Sequence, residues 1–503
     1  MQLSGFLRWF RRITALIVFA GLLYFFLFTS AHLSALWQGI IKLQVVPAIL
    51  GITSGGLLTV VLVLLLTLIF GRIYCSLICP LGIWQDIVNR AGLFLRGRKK
   101  RRNRFSKAHN APRYLILIAV VICVAFSFIL PLVWLDPYAL FGKMAVNLGR
   151  PLVSLIAGSE YAAWSLAAFI ISAVLFTTIT VIAFFRGRLY CNTICPAGTL
   201  MGLISKISMF RIQIDTAACT HCQLCGTSCK ARCIDCNSAQ VDHSRCVVCM
   251  NCISACRRGG IFYRFSWKKK NGKQLTDPMH QQPKQQRNSR RAFLLAAMGA
   301  GIGTGAVLLN RFTEKKRVRI TSSMPPGAGT LQRLKDKCIA CQACIAACPS
   351  HIIKPAMGDF GFEGFLLPSV SYENGFCGYD CQKCQEVCPS GALKLMPLEE
   401  KKRMRIGVVK LTLENCIVEK FGTDCGACDE HCPVKAVEMT PREGTNKVFP
   451  KTNPAICIGC GGCEFICPAT PKAIAVIPLS EQRQADAPVL DAKIKVEIDG
   501  FGF

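Results

Sequence analysis

Acid is what this 503-residue chain has least of: 29 aspartates and glutamates stand against 60 lysines and arginines, a formal net charge of +31. Histidine is sparse too, with seven in all, and His32 is the only one near a long apolar run. Haem held by paired histidines inside a membrane is therefore excluded. The chain also lacks a P-loop, a dinucleotide fingerprint and a Ser-His-Asp constellation, so neither nucleotide-driven nor hydrolytic chemistry has residues to carry it.

The basic excess invites a nucleic-acid partner, but its placement argues for a membrane instead. The composition is 52% apolar and the mean hydropathy is +0.38, too apolar for an ordinary soluble protein. Five charge-free runs approach the roughly 20 residues that cross a bilayer: Ile13–Ser30, Leu50–Phe70, Tyr114–Trp134, Ser165–Phe185 and Ala292–Leu309. "RAGLFLRGRKKRRNR", Arg90 to Arg104, carries eight basic residues and no acid between the second and third runs, which marks that loop as cytoplasmic. Arg8, Arg11 and Arg12 place the start of the first run on the same side. The first four runs then cross in, out, in and out, returning the chain to the cytoplasm, and no nucleic-acid partner is expected.

Cysteine is what the chain has in excess. Six groups of four supply 24 of its 31 cysteines. They are Cys219, Cys222, Cys225 and Cys229; Cys246, Cys249, Cys252 and Cys256; Cys338, Cys341, Cys344 and Cys348; Cys377, Cys381, Cys384 and Cys388; Cys416, Cys425, Cys428 and Cys432; and Cys457, Cys460, Cys463 and Cys467. A C-x2-C-x2-C turn wraps three thiolates around one 4Fe-4S cubane, and the fourth cysteine reaches the neighbouring cluster. The first pair of groups should therefore hold one cluster on Cys219, Cys222, Cys225 and Cys256, and another on Cys246, Cys249, Cys252 and Cys229. Zinc sites use two separated C-x2-C pairs, and disulfide scaffolds are not this regular. Six clusters at about 2− each lower the net charge to roughly +19, still basic. The flanks "FRIQID" and "IFYRFSW" read as the short strands of a two-cluster ferredoxin. Lys230 and Arg257 follow the fourth cysteines of the first two groups where proline is usual, and positive charge there is expected to raise cluster potential.

Seven cysteines remain. Cys123 sits inside an apolar run and reads as a small buried residue, while Cys233 and Cys236 are spare thiols or substitute ligands. The other four form a duplication, "GRIYCSLICPLG" with Cys75 and Cys79 and "GRLYCNTICPAG" with Cys191 and Cys195, offset by 116 residues. Each closes an even-numbered run, so the four thiols should meet at one membrane face as a further redox or metal site, a thiol switch or a structural cap.

In the middle of the chain, Ser289, Arg290, Arg291, Ala292, Phe293 and Leu294 fit the twin-arginine export pattern, and a weak Ala- and Gly-rich run follows. Clusters are built in the cytoplasm, so a ferredoxin bound for the other side has to cross already folded. A flexible basic linker precedes the signal.

Residues 1 to about 265 resemble the membrane ferredoxins of the NapH type: four spans, two C-x3-C-P motifs, "WLDP" at Trp134 to Pro137, and a two-cluster ferredoxin. Residues 288 to about 480 resemble the exported ferredoxins of the NapG/MauM type: a twin-arginine start, "PPGA" at Pro325 to Ala328, four cysteine groups, and "IGVVKLTLENC" before the third. The chain thus looks like a fusion of the two, from the periplasmic nitrate reductase electron-transfer family. The resemblance implies electron transfer from membrane quinol to a periplasmic reductase or cytochrome. It also implies nested pairing in the second half, the first group sharing two clusters with the fourth and the second with the third, so that Cys467 completes the site of Cys338, Cys341 and Cys344.

The expected architecture is a multi-domain membrane protein. A four-helix transmembrane bundle (residues 1–210) leads to an α+β two-cluster ferredoxin (211–265) and a linker (266–291). A fifth transmembrane helix (292–310) and an α+β four-cluster double ferredoxin on the periplasmic side (311–503) complete the chain. The expected function is electron transfer from quinol or cytoplasmic donors at the inner membrane, with quinol dehydrogenase activity as an open question and Asp136 as a candidate base or helix-terminal residue. The rival is a redox maturation factor for a partner metalloenzyme. A third reading keeps both halves in the cytoplasm, feeding a soluble dehydrogenase. Six 4Fe-4S clusters predict about 24 iron atoms per chain, measured by elemental analysis of anaerobically purified protein, and more if the four remaining thiols hold a centre.

Overall fold

The computed structural model describes residues 2–28, 35–52, 56–95, 103, 105–126, 128–157, 165–266, 320–442 and 447–487. The expected fifth span, the twin-arginine pattern and the linker lie outside the described residues. Seven helices organise the first half: α1 (Gln2–Leu27), α2 (Gly56–Phe70), α3 (Pro80–Leu95), α4 (Asn110–Ala125), α5 (Pro137–Met144), α6 (Leu166–Arg186) and α7 (Pro196–Ser205).

Apolar side chains cover the outside of these helices as well as the inside. Leu58 on α2, Val174 on α6 and Ile17 on α1 are all more than half exposed, the pattern of helices whose solvent is not water. Two helices among the described residues, Gly5–Leu27 and Leu166–Arg186, are long and apolar enough to cross a membrane. The expected second and third runs are broken. Of the second, Leu50–Phe70, Leu50 ends the short helix Val45–Leu50 and α2 begins at Gly56, with residues 53–55 outside the described residues. The third stops after Ala125 and restarts at Leu130, where Pro131 occupies the first turn. Asp136 then caps α5, its carboxylate accepting from the Ala139 N–H at 2.7 Å.

The sequence duplication is a structural one. α2 ends at Gly71 (φ +77°) and α6 at Gly187 (φ +64°), left-handed conformations that turn the chain back on itself. Each turn leads into a short helix carrying the first cysteine, Tyr74–Leu77 or Leu189–Thr193, and then into a proline-led helix, α3 or α7. The two repeats exchange partners: α3 lies along α6, where Trp84 meets Phe176 at 5.4 Å and donates to Thr180 at 3.2 Å, while α7 packs on α2 and α4.

In the first ferredoxin domain, β1 (Phe210–Ile214) pairs antiparallel with β2 (Ile261–Phe265). This domain sits against the ends of α2 and α6 and the beginning of α1. Arg12 donates to Asn251 Oδ1 at 3.3 Å, Arg72 to the Ser244 carbonyl at 3.0 Å, and Tyr263 to the Phe70 carbonyl at 3.0 Å. Asp86 of α3 receives the Arg188 guanidinium in two bonds of 2.7 and 2.6 Å and also pairs with Lys230 of the ferredoxin.

The C-terminal region contains two similar units. One has the hairpin Ile353–Pro355 with Pro368–Val370 and the other has Val437–Pro441 with Val448–Thr452. A longer antiparallel pair, β3 (Met404–Leu411) and β4 (Ile474–Gln484), closes the second unit. The first unit rests on the far end of α1: Arg150 donates to both the Phe26 carbonyl and the Ala346 carbonyl, and Phe365 stacks on Trp134 at 6.2 Å. The contacts of the two ferredoxin regions thus fall at different points along α1, near Arg12 in its first half and near Phe26 at its last turn.

Removing one member of a buried charge group strands the others. Asp86→Ala should destabilise the protein by about 3–5 kcal/mol, read as a lower unfolding midpoint in detergent, with loosened packing between α3, α6 and the first ferredoxin domain in hydrogen exchange.

Candidate metal centres

Four of the six cysteine groups share one backbone path. In each, two residues of the C-x2-C-x2-C turn lie in the left-handed region: His221 and Gln223, Val248 and Met250, Ala340 and Gln342, Gly459 and Gly461, with φ between +49° and +84°. These turns wind the chain around a hollow and aim N–H groups inward, as anion-binding nests do. Ala340 N and Gly459 N each stand 3.4 Å from the Sγ of the cysteine two residues before, Cys338 and Cys457. A short helix follows each turn and carries the third cysteine.

A cavity of about 210 Å³ is lined by Cys219, Cys222, Cys225 and Cys256, walled by Ile214 and Ile261. This is the crossed pairing expected for the first domain. In the C-terminal region, Cys338, Cys341 and Cys344 share a cavity with Cys388, and Cys416, Cys425 and Cys428 share one with Cys467. The thiols of Cys377 and Cys384 feel Cys348, which itself feels Cys381, and those of Cys457, Cys460 and Cys463 feel Cys432. Pairing therefore runs between sequence neighbours, first with second and third with fourth, and the nested arrangement is corrected. Cys388, not Cys467, faces Cys338, because each fourth cysteine ends a short helix that lies against its neighbour's helix: Ala343–Ala347 packs on Lys383–Glu386, and Ala427–Glu430 on Gly462–Ile466.

The two units meet where Cys377 N–H donates to the Cys460 carbonyl at 2.9 Å and Tyr372 donates to the Gly459 carbonyl at 2.7 Å. In space the quartets follow the order Cys338, Cys377, Cys457 and Cys416 (named by their first members), with the Cys338 quartet nearest the helices. There Gly142 of α5 approaches the Cys341 carbonyl so closely that a Cβ on it would stand 2.1 Å away. Tyr138, 1% exposed, has a hydroxyl without a hydrogen-bond partner and feels the charge of Cys341, Cys388 and Cys344.

The donor set fits iron-sulfur clusters. Burial pushes the Cys338 and Cys460 thiols up to about 12 and the Cys377 thiol to about 11, so their thiolates need a cation at neutral pH. A single zinc ion at about 2.3 Å from each sulfur would draw its ligands tightly together, and among the described residues no three ligating side chains are so arranged. The thiols ring cavities instead.

Of the seven other cysteines, Cys123 is buried in α4. The sequence left Cys233 and Cys236 open; their sulfurs lie 3.6 Å from Cys229 and Cys225, and Cys236 lines the first cavity. Cys75, Cys79, Cys191 and Cys195 are 3 to 6% exposed and lie within mutual electrostatic reach.

A family model described as "4Fe-4S dicluster domain" matches residues 337–392 and 423–470, and one described as "4Fe-4S binding domain" matches 54–103 and 168–214. The second pair of stretches contains the four C-x3-C-P cysteines and none of the ferredoxin groups. This is an iron-sulfur electron-transfer protein of the ferredoxin type. The ferredoxin-type protein NapG of Escherichia coli is 30% identical over 38% of this chain and 87% of its own length. Ferredoxin-type protein NapH of the same organism is 27% identical over 42% of this chain and 66% of its own. An uncharacterized protein of Methanocaldococcus jannaschii is 23% identical over 41% of this chain and 70% of its own. No solved structure matches. The chain belongs to the NapH/NapG family of ferredoxin-type proteins.

Serine substitutions test the pairing. Cys388→Ser and Cys341→Ser should abolish the same cluster signal in electron paramagnetic resonance, and Cys467→Ser should abolish the signal lost in Cys425→Ser.

Proposed function

We propose that the chain is an electron conduit of the inner membrane, carrying electrons from quinol or a cytoplasmic donor to a reductase on the periplasmic side, as in nitrate reductase systems. The observation that supports this reading is the attachment of the two ferredoxin regions at separate points along α1, one near Arg12 and the other at the last turn near Phe26. With Arg8, Arg11 and Arg12 at its beginning, α1 points its first end to the cytoplasm. The first ferredoxin region is then cytoplasmic and the second periplasmic. Four spans, two of them assembled from broken helices, form the membrane bundle. A fifth, over residues 292–310, delivers the second region behind the twin-arginine pattern.

Six 4Fe-4S clusters sit in the six quartets. Such clusters accept and release one electron with little movement of their ligands. The chain's residues hold them in rows, exclude water and place charge beside them. On the inner side Cys249 feels Lys230 and Arg11. On the outer side the Lys143 ammonium, fully buried, donates to the Val133 carbonyl at 2.6 Å and faces Cys338 and Cys341. Positive charge at both places favours the reduced cluster. Cys222 is exposed on the inner region, an access point for a donor. The outermost quartet, Cys416, Cys425, Cys428 and Cys467, faces an acceptor.

A reporter fused after Phe503, with cysteine labelling in intact cells as control, should report an external C-terminal region. A cytoplasmic result would end the transmembrane reading and leave a cytoplasmic ferredoxin with two modules. In a deletion strain, the partner reductase should be fully assembled yet starved of electrons; a partner lacking its metal would point to maturation.

A further inference from the structure

Arg11 reads in the sequence as a topology marker, a charge left outside the first apolar run. In the structure it is only 7% exposed. It lines a cavity of about 480 Å³ between α1, α3 and the first ferredoxin domain, within the roughly 300–1,000 Å³ of ligand pockets. No cysteine lines this cavity, so it is not the seat of a cluster.

Part of the lining is charged. Arg11, Arg12, Arg90 and Lys230 contribute to it, with Asp86 as its only acid. That carboxylate is already engaged by Arg188 and Lys230. Arg11, Arg12 and Arg90 form no ion pair among the described residues, and Arg12 instead feels the repulsion of Arg8, Arg90 and Arg11. Their hydrogen bonds go to neutral groups: Arg11 donates to the Ser76 carbonyl at 3.4 Å and Arg12 to Asn251 Oδ1 at 3.3 Å.

The neighbouring cluster does not balance these charges. Cys249 feels Arg11 and Lys230, and its cluster brings about 2− when present. Counting Arg188, five cations then surround one carboxylate and that cluster, an excess of roughly two positive charges. Enclosed like charges are costly without a counter-ion, so the cavity calls for an anion. Three buried atoms of the lining residues also lack partners: Arg11 Nε, Asn89 Oδ1 and Asn103 Oδ1. The first is a donor on a cation and the other two are acceptors. An anion that also carries hydroxyl donors answers both needs.

The rest of the lining is apolar, which a free phosphate cannot use. Ala15 and Leu16 lie one turn after the arginines of α1, and Ile83 and Ile87 lie one to two turns before Arg90 on α3. Leu16 and Ile87 are 54% and 36% exposed, so the cavity opens onto the apolar outer surface of the helices, where an acyl chain can lie. Trp9, 59% exposed, sits under the Arg12 guanidinium at 5.8 Å, the kind of side chain found where headgroups meet acyl chains. Basic pockets between helices hold anionic headgroups at that level.

We propose that this cavity binds one anionic phospholipid with a hydroxylated headgroup, of the phosphatidylglycerol class. Its phosphate lies among Arg11, Arg12 and Arg90, and its chains run along Leu16 and Ile87. Bound there, the lipid joins α1 and α3 to the first ferredoxin domain, since Arg12 already reaches Asn251 beside Cys252. It also sets negative charge near the cluster of Cys249, which disfavours reduction of that cluster. The site rests on α1 and α3 lying in a bilayer, and neither on the direction of electron flow nor on the side taken by the C-terminal region.

The test is calorimetry on the full-length protein, purified anaerobically and delipidated in a neutral detergent. Dihexanoyl phosphatidylglycerol should bind at a single site, roughly tenfold or more tighter than dihexanoyl phosphatidylcholine, and inorganic phosphate should not compete with it. Arg12→Gln/Arg90→Gln should weaken that binding by a similar factor. Ile87→Trp, which keeps every cation and fills the apolar part of the cavity, should abolish it. In the wild type the lipid should lower the potential of one first-domain cluster, and in Ile87→Trp it should not. Electron paramagnetic resonance signals of the ferredoxin clusters show that each variant is folded; if the double variant is not, Ile87→Trp and the comparison of headgroups decide. Equal binding of the two lipids, or binding unchanged in the folded variants, overturns the proposal. Competition by inorganic phosphate would mark a free-phosphate site instead, and a quinone recovered with the protein and lost in Ile87→Trp would mark a quinone site; either result overturns the lipid assignment.

Discussion

The carboxylate of Asp86 holds three parts of the molecule at one point. It sits on α3 of the first repeat, receives the Arg188 guanidinium of the second repeat in two bonds, and pairs with Lys230 of the first ferredoxin domain. With Arg188 fully enclosed, neither repeat nor ferredoxin can move away without exposing an unpaired buried charge. The triad ties the two C-x3-C-P repeats to the first ferredoxin domain.

Around that point the protein is organised by where charge is permitted. Apolar side chains cover the outer faces of α1, α2 and α6, so cations are confined to the interior and to the two ends. Some of those in the interior stand beside carboxylates, Arg188 and Lys230 by Asp86 and Lys143 by Asp136, and some also near sulfur, Arg72 by Cys75, Lys230 by Cys249 and Lys143 by Cys341 and Cys338. At low dielectric such pairs interact strongly.

The C-terminal ferredoxin region shows how far motif spacing carries. C-x2-C-x2-C turns identify which residues surround a cluster, because three thiols so close in sequence have few other ways to point. They do not identify the fourth thiol. The intervals between groups are nearly equal, and only the packing of short helices, Ala343–Ala347 on Lys383–Glu386 and Ala427–Glu430 on Gly462–Ile466, places Cys388 and Cys467 in their cavities. Cys236 was equally open in sequence and stands beside Cys225 in the structure.

The sequence by itself determined the cysteine groups, the first and fourth apolar runs, the two copies of the motif around Cys75 and Cys191, and the existence of the strands Phe210–Ile214 and Ile261–Phe265, since each is set by residues close together in the chain. Tertiary structure decided what depends on contacts between distant segments: the sequential pairing of the C-terminal quartets, the pairing of the two strands of the first ferredoxin domain, the attachment of the two ferredoxin regions at separate points along α1, and the burial of the four C-x3-C-P thiols among the helices. That burial is fixed by two left-handed glycines and by arginines that bond across the repeat. A spacing pattern records the first of these as mere letters and the second not at all.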